Sequence, residues 1–222
     1  MALLVSISIQ IAVNYANDYS DGIKGTDDQR VGPVRLVGQK LASPKSVKTA
    51  AIIFFSIAAL AGLFITILSN QWWFLLLGLS AIVAAWTYTG GPKPYGYAGL
   101  GDLSVLLFFG FTAVLGTYFL HSHQLNFSLI WPALGMGGFS VAVLNLNNMR
   151  DRESDLAAGK KTIPARFGGL IARRYHSAVV IVSVLSILGY SFFFGYKGLF
   201  FAAAFAGLLH LQTRSQVLKV KN

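Results

Sequence analysis

The sequence contains no cysteine, which excludes both a disulfide framework and a thiolate metal site. Charge is scarce as well. Only 12% of its 222 residues are Asp, Glu, Lys or Arg, about half the share of an ordinary soluble domain. Acids are scarcer still, 8 against 18 lysines and arginines, and none falls within the centre of an apolar run. A channel or transporter with carboxylates at mid-membrane is therefore disfavoured. The opening stretch, Met1–Asn17, has no basic start and no small-residue cleavage site, so it reads as a helix rather than a cleavable leader.

What is present is apolar. Hydrophobic residues make up 55% of the chain, and uncharged runs recur at 49–69, 71–88, 103–120, 127–146 and 176–196. Each is long enough to cross the ~30 Å hydrocarbon core of a bilayer as a helix. None alternates as a barrel strand would. The fold class is all-α, a polytopic transmembrane helical bundle of seven apolar segments once the first helix and a shorter last run, 198–213, are included.

The net charge of +10 does not point to nucleic acid, because the cations lie in the loops. If the seven segments alternate across the membrane, all lysines and arginines but Lys197 share one side, as do all the acids. The positive-inside rule makes that side the cytoplasm. Met1 then stands outside, almost at the membrane, as though a helix that should precede it were missing.

Acids carry little topological weight, so their clustering needs another cause. The first long loop opens with Asn14, Asn17, Asp18 and Asp21, spaced three or four apart and so on one face of a helix, followed by Lys24 and Gly25. The second opens with Asn147, Asn148, Arg150, Asp151 and Asp155, followed by Gly159, Lys160 and Lys161; Asn147, Asp151 and Asp155 are four apart, again one helical face. Asn14 and Asn147 are separated by the same interval as Asp18 and Asp151, while Asp21 to Asp155 and Gly25 to Gly159 are one residue longer. The chain thus repeats one unit.

Carboxylates gathered at the mouth of membrane helices repel one another and resist desolvation. A divalent cation offsets both costs, and hard oxygen ligands select Mg²⁺. Mg²⁺ takes one or two carboxylates and fills its shell with water and substrate phosphate. Asp18, Asp21, Asp151 and Asp155 are thus candidate metal ligands for a bound diphosphate. Lys24, Arg150, Lys160 and Lys161 are candidate phosphate contacts, with Asn14, Asn17, Asn147 and Asn148 beside them. The competing reading is ordinary charge flanking membrane helices. Glu153 points off the Asp151–Asp155 face, and Asp27 and Asp28 are weaker candidates.

The loop from Tyr88 to Asp102 is rich in Gly, Pro and Tyr. It reads either as an interfacial turn or as a lid on the same side as both Asp motifs, with Lys93 and the tyrosines Tyr88, Tyr95 and Tyr97 facing the substrate and Tyr88 and Lys93 as its candidate catalytic residues. His121 and His123 lie on the opposite side from every acid, and Trp72 and Trp73 fit an aromatic belt.

Asn17-Asp18-x-x-Asp21 with Asp27 downstream, and Asp151-x-x-x-Asp155 before Gly-Lys-Lys-Thr, resemble the paired motifs of the UbiA-type membrane prenyltransferases. The stretches Asn-Tyr-Ala-Asn-Asp-Tyr-Ser-Asp-Gly, Tyr-Thr-Gly-Gly-Pro, Gly-Leu-Gly-Asp-Leu and Asn-Asn-Met-Arg-Asp resemble its menaquinone-pathway branch, which prenylates 1,4-dihydroxy-2-naphthoate. The resemblance runs from about Val5 to Arg174. It implies a single transmembrane domain over 1–222, seven segments of a nine-helix bundle around a cavity open laterally to lipid, with the family's first and last helices absent. It also implies Mg²⁺ and diphosphate at Asp18, Asp21, Asp151 and Asp155, with Tyr88 and Lys93 in the covering loop.

The implied substrates are a polyprenyl diphosphate and an aromatic acid, and the implied product is demethylmenaquinone, formed with loss of CO₂. The implied location is the bacterial plasma membrane, with the Asp motifs on its cytoplasmic face. No nucleic acid or protein partner is expected. Another aromatic acceptor such as 4-hydroxybenzoate, or an inactive fragment of such an enzyme, remains open. A soluble prenyl diphosphate synthase also pairs Asp-rich motifs, but the lipid-length runs argue against it.

Overall fold

The computed structural model describes residues 1–26 and 33–219, with residues 214–219 described by backbone alone. Asp27, Asp28, Arg30 and Lys221 lie outside the described residues, as do the side chains of Arg214 and Lys219. Every regular element among the described residues is helical: α1 (Ala2–Ile23), α2 (Pro44–Ser69), α3 (Trp73–Thr87), α4 (Gly101–Ser122), α5 (Ile130–Arg150), α6 (Arg152–Ala157), α7 (Ile163–Phe194) and α8 (Lys197–Lys219). The all-α reading holds. Helices α2, α4, α7 and the stretch Phe127–Arg150 are long and apolar enough to cross a membrane. Helix α3 is apolar but has 15 residues, about 22 Å of rise.

Local chemistry sets the helix ends. Ser43 caps α2 by accepting from the Ser46 amide at 3.1 Å, with Pro44 in the first turn where its missing N–H costs nothing. Asn70 closes the same helix in the left-handed conformation, φ 53°. Asn126 caps the single 3₁₀ turn Phe127–Leu129 through Ser128. Inside α4, residues Leu106–Thr112 widen into a π-helical segment.

The chain forms two compact units, each with its own packing. The first comprises Met1–Gly101 and Glu153–Thr162. Here α1 packs on α2 and α3 through Ala12, Ala16, Ala51 and Phe55, with Trp86 and Ile82 against them. The second comprises Asp102–Arg152 and Ile163–Asn222. Here α5 packs on α7 through Ala142, Val180 and Val184, Gly135 faces Ile187 and Gly138 faces Ser183. Gly110 of α4 meets α5 so closely that a Cβ would lie 2.6 Å from the Ala133 carbonyl oxygen.

Buried side chains are mostly small, Ala, Ser and Gly, whereas Leu76, Leu60 and Phe193 are exposed. A soluble core would invert this. Lipid tails are as apolar as leucine, so helices associate by close contact of small residues rather than by burying large ones.

Two features depart from the sequence expectation. Helix α7 begins at Ile163 rather than near His176, and Gly168 (φ 81°, ψ 168°) kinks it. Its first turns carry Arg166, Arg173 and Arg174; charge reads as loop in a hydropathy profile, yet arginine is a good helix former. The continuous face expected through Asn147, Asp151 and Asp155 is also interrupted. Asp151 ends α5 with φ −92° and ψ 11°, and α6 restarts at Arg152. Asp favours such ends because its short side chain competes for nearby hydrogen bonds.

Candidate functional site

The end of α1 carries the first motif. Gly25 adopts a left-handed φ of 72°, and the chain folds back so that the Thr26 amide donates to the Asp21 carbonyl at 3.1 Å. Asp18 and Asp21 are buried, Asn17 is half-buried and Asn14 is exposed. Both oxygens of Asp18 accept backbone N–H groups, from Leu36 at 2.8 Å and Val37 at 3.0 Å. Gly22 makes this possible, because a Cβ there would lie 2.5 Å from the Val37 side chain. Asp18 thereby ties the segment after the first loop to the helix.

The second motif closes α6 in the same way. Gly159 is left-handed at φ 71°, and the Lys160 amide returns to the Asp155 carbonyl at 2.8 Å. This turn places the Lys160 ammonium 3.5 Å from Asp155 Oδ1 and 3.3 Å from Asp21 Oδ2. Thr162 donates to the other Asp155 oxygen at 3.3 Å. Asp155 is buried, Lys160 half-buried and Lys161 exposed. The second aspartates of both motifs therefore meet at one cation.

In the second unit, Arg150 grips Asp151 through Nε at 2.7 Å and Nη2 at 2.8 Å, a two-point charge-assisted contact. Asn148 is half-buried and Asn147 exposed. A separate cavity of about 360 Å³ in this unit is lined mainly by Leu and Val, with Tyr175 donating to Asp102 at 2.7 Å at its polar part.

The loop after α3 supplies Thr89, which the sequence reading did not select, and Tyr97, which it named only as one of the loop's tyrosines. Tyr97 donates its hydroxyl to Asp21 Oδ1 at 2.7 Å, and its ring lies 5.0 Å from the Lys24 ammonium and 4.7 Å from that of Lys160. Thr89 donates to Asn17 Oδ1 at 2.8 Å, and its carbonyl accepts the Lys24 ammonium at 2.5 Å. Burial pushes the Lys24 ammonium below lysine's ordinary pKa, with Asp21 opposing that shift and Lys160 adding to it.

Of the two residues expected to lead in this loop, Tyr88 stacks edge-on against Tyr95 and Lys93 is exposed. The signal for Tyr97 was its bracketing by Gly96 and Gly99. A Cβ at Gly96 would lie 2.6 Å from the Tyr88 carbonyl oxygen, and Gly99 takes a φ of 89° against the Lys161 carbonyl.

Among the described residues no three His, Cys, Asp or Glu side chains form a metal-holding group. Two carboxylates do converge on one cationic position, now taken by Lys160. Two carboxylates completed by water and phosphate oxygens suffice for Mg²⁺, so Asp21 and Asp155 fit the ion.

The UbiA prenyltransferase family model matches residues 1–222. The chain is 47% identical over 189 residues to the 1,4-dihydroxy-2-naphthoate octaprenyltransferase of Mycobacterium tuberculosis, covering 85% of this chain and 64% of that protein. It is 41% identical over 199 residues to the Escherichia coli protein of the same name, covering 87% and 65%. A 2-carboxy-1,4-naphthoquinone phytyltransferase from Synechocystis is 31% identical over 187 residues, covering 83% and 58%. The chain thus spans less than two thirds of the length of these relatives. No solved structure matches it significantly. Apolar helices of membrane-crossing length and these matches together make the chain an integral membrane protein and a member of the UbiA prenyltransferase family.

Proposed function

We propose that this chain carries the prenyl-transfer site of an enzyme that joins a polyprenyl chain to 1,4-dihydroxy-2-naphthoate with loss of CO₂, giving demethylmenaquinol, the hydroquinone of demethylmenaquinone. The observation that carries the reading is the meeting of Asp21 and Asp155 at Lys160, with Lys24 on the other contact of the Tyr97 ring. Two carboxylates and two ammonium groups at the polar end of apolar helices suit a diphosphate whose hydrocarbon chain lies in lipid. The relatives' printed names supply the acceptor.

In this proposal Asp21 and Asp155 would hold Mg²⁺, and Lys160, now between them, would serve the diphosphate instead. Mg²⁺, when bound, neutralises charge on the departing diphosphate and so favours its departure. Lys24, Lys160 and Lys161 provide further donors to the phosphate oxygens. The bond from the allylic carbon to the diphosphate oxygen breaks, with the electron pair leaving on diphosphate. The electron-rich ring carbon bearing the carboxyl group attacks the allylic carbon, and the carboxyl group departs as CO₂.

Asn14, Asn17, Tyr88 and Lys93 border this site in the proposal. Asp18 serves it by holding the 36–37 segment in place. Asp151, Arg150, Asn147 and Asn148 enter on the sequence repeat alone. The site faces the cytoplasm of a bacterial plasma membrane.

The test is prenyl transfer in membranes with 1,4-dihydroxy-2-naphthoate, a polyprenyl diphosphate and Mg²⁺. Metal-dependent demethylmenaquinol formation, read as demethylmenaquinone after oxidation in air, with no prenylated product from 4-hydroxybenzoate, is the expected result. Turnover of 4-hydroxybenzoate instead would overturn the acceptor. Silence toward both, with activity in a chain extended to the relatives' length, would show that this span does not suffice.

A further inference from the structure

We propose that Tyr97 is a positioning residue of this site whose hydroxyl and ring have separate duties: the hydroxyl orients the Asp21 carboxylate for the metal, and the ring gathers the Lys24 and Lys160 ammonium groups for the diphosphate. The inference rests on reading the site as one for Mg²⁺ and diphosphate.

The two contacts are geometrically distinct. The phenol reaches Asp21 Oδ1 at 2.7 Å, leaving Oδ2 to face Lys160 at 3.3 Å. One carboxylate oxygen is pinned and the other presented. The ring meanwhile has ammonium groups 5.0 and 4.7 Å from its centre, both within the range where an aromatic face attracts a cation. Two like charges on one ring repel each other. Holding them together is useful where an anion of more than one charge is to arrive between them.

The backbone around Tyr97 is fixed, which a positioning residue requires. Its carbonyl accepts the Lys161 amide at 2.8 Å and its amide donates to Pro94 at 3.1 Å. Two residues back, the Tyr95 hydroxyl donates to the Ala84 carbonyl at 2.9 Å. Because Lys161 follows Lys160 directly, one residue of the loop anchors the backbone beside the same lysine whose ammonium its ring attracts. A tyrosine serving only as an interfacial anchor would need none of these contacts, and phenylalanine would replace it without effect on metal dependence.

The experiment is calorimetric titration of the purified chain in detergent with inorganic pyrophosphate, in the absence of metal and across Mg²⁺ concentrations. Wild type, Tyr97→Phe and Tyr97→Leu are compared, with thermal midpoints recorded alongside. Metal-free pyrophosphate affinity should be retained within about twofold in Y97F, which keeps the ring. It should fall about tenfold in Y97L, which loses both cation–π contacts. The Mg²⁺ concentration giving half-maximal tightening should rise about fivefold or more in both, since both lose a hydrogen bond to a charged group.

Should Y97L not fold, Tyr97→Trp keeps a ring without the phenol and should behave as Y97F does. Y97F matching wild type in Mg²⁺ dependence overturns the hydroxyl's duty. Y97F or Y97W losing metal-free affinity as fully as Y97L overturns the ring's. A wild type that binds no pyrophosphate with or without Mg²⁺ overturns the diphosphate reading itself.

Discussion

The two copies of the repeated motif end their helices alike but secure their first aspartates by different means. Gly25 and Gly159 both turn left-handed, and the next amide returns to Asp21 in one copy and Asp155 in the other. The second aspartate of each copy accordingly meets Lys160. The first aspartates are each gripped by two N–H donors, but Asp18 takes backbone amides from a distant segment while Asp151 takes the guanidinium next to it. One copy uses its first carboxylate to organise the chain; the other uses it to orient a positive side chain. The second carboxylate is the element the copies share, and the first is where they have diverged.

The largest effect should come from separating these roles within one copy. Asp21→Asn removes one of two carboxylates from the proposed metal position, and prenyl transfer in membranes should fall about hundredfold or more, with little change in thermal midpoint. Asp18→Asn places an NH₂ group against a backbone N–H, so stability should drop by ~1–3 kcal/mol while more activity survives. Equal loss of activity and stability in the two variants would erase the distinction.

A smaller effect tests the other copy. Lysine is a point charge and cannot reproduce a two-point grip, so Arg150→Lys should lower prenyl transfer about threefold to tenfold. Its midpoint should change less than that of Asp18→Asn. A midpoint drop matching D18N would mean that Asp151 also organises the fold.

The smallest effect concerns the asparagines. Asn17 accepts from Thr89, whereas Asn145 is fully buried with neither amide atom hydrogen-bonded among the described residues. Replacing a buried group that lacks partners with an apolar one of similar shape is close to neutral or stabilising. Asn145→Leu should therefore shift unfolding by no more than ~1 kcal/mol, in either a thermal or a denaturant measurement. A loss above ~2 kcal/mol would show that the amide has a partner such as a bound water.

The membrane class and the two motifs were legible because they rest on run length and on spacing along a helix. Lys160 was legible as well, since it follows the repeated glycine. The contacts of Tyr97 with Asp21, Lys24 and Lys160, and the amides of Leu36 and Val37, were not, because chain returning from a loop meets a helix at positions that no periodicity encodes. The break at Asp151 escaped for the opposite reason: spacing by fours suggests one helix, and a single residue leaving helical φ and ψ does not disturb that count. The early start of α7 was hidden by its arginines, which a hydropathy reading assigns to water.

Small side chains inside and large ones outside also govern how this sequence can drift. At Leu76, exposed on α3, any bulky apolar residue meets the lipid equally well, so the identity of the most conspicuous residues is loosely constrained. At Ala12, Ala16 and Ala51, all fully buried, a single added methyl pushes two helices apart. Variation in this molecule is therefore limited by size at its quietest letters, and a substitution matrix tuned on soluble cores would rank its tolerant and intolerant positions nearly in reverse.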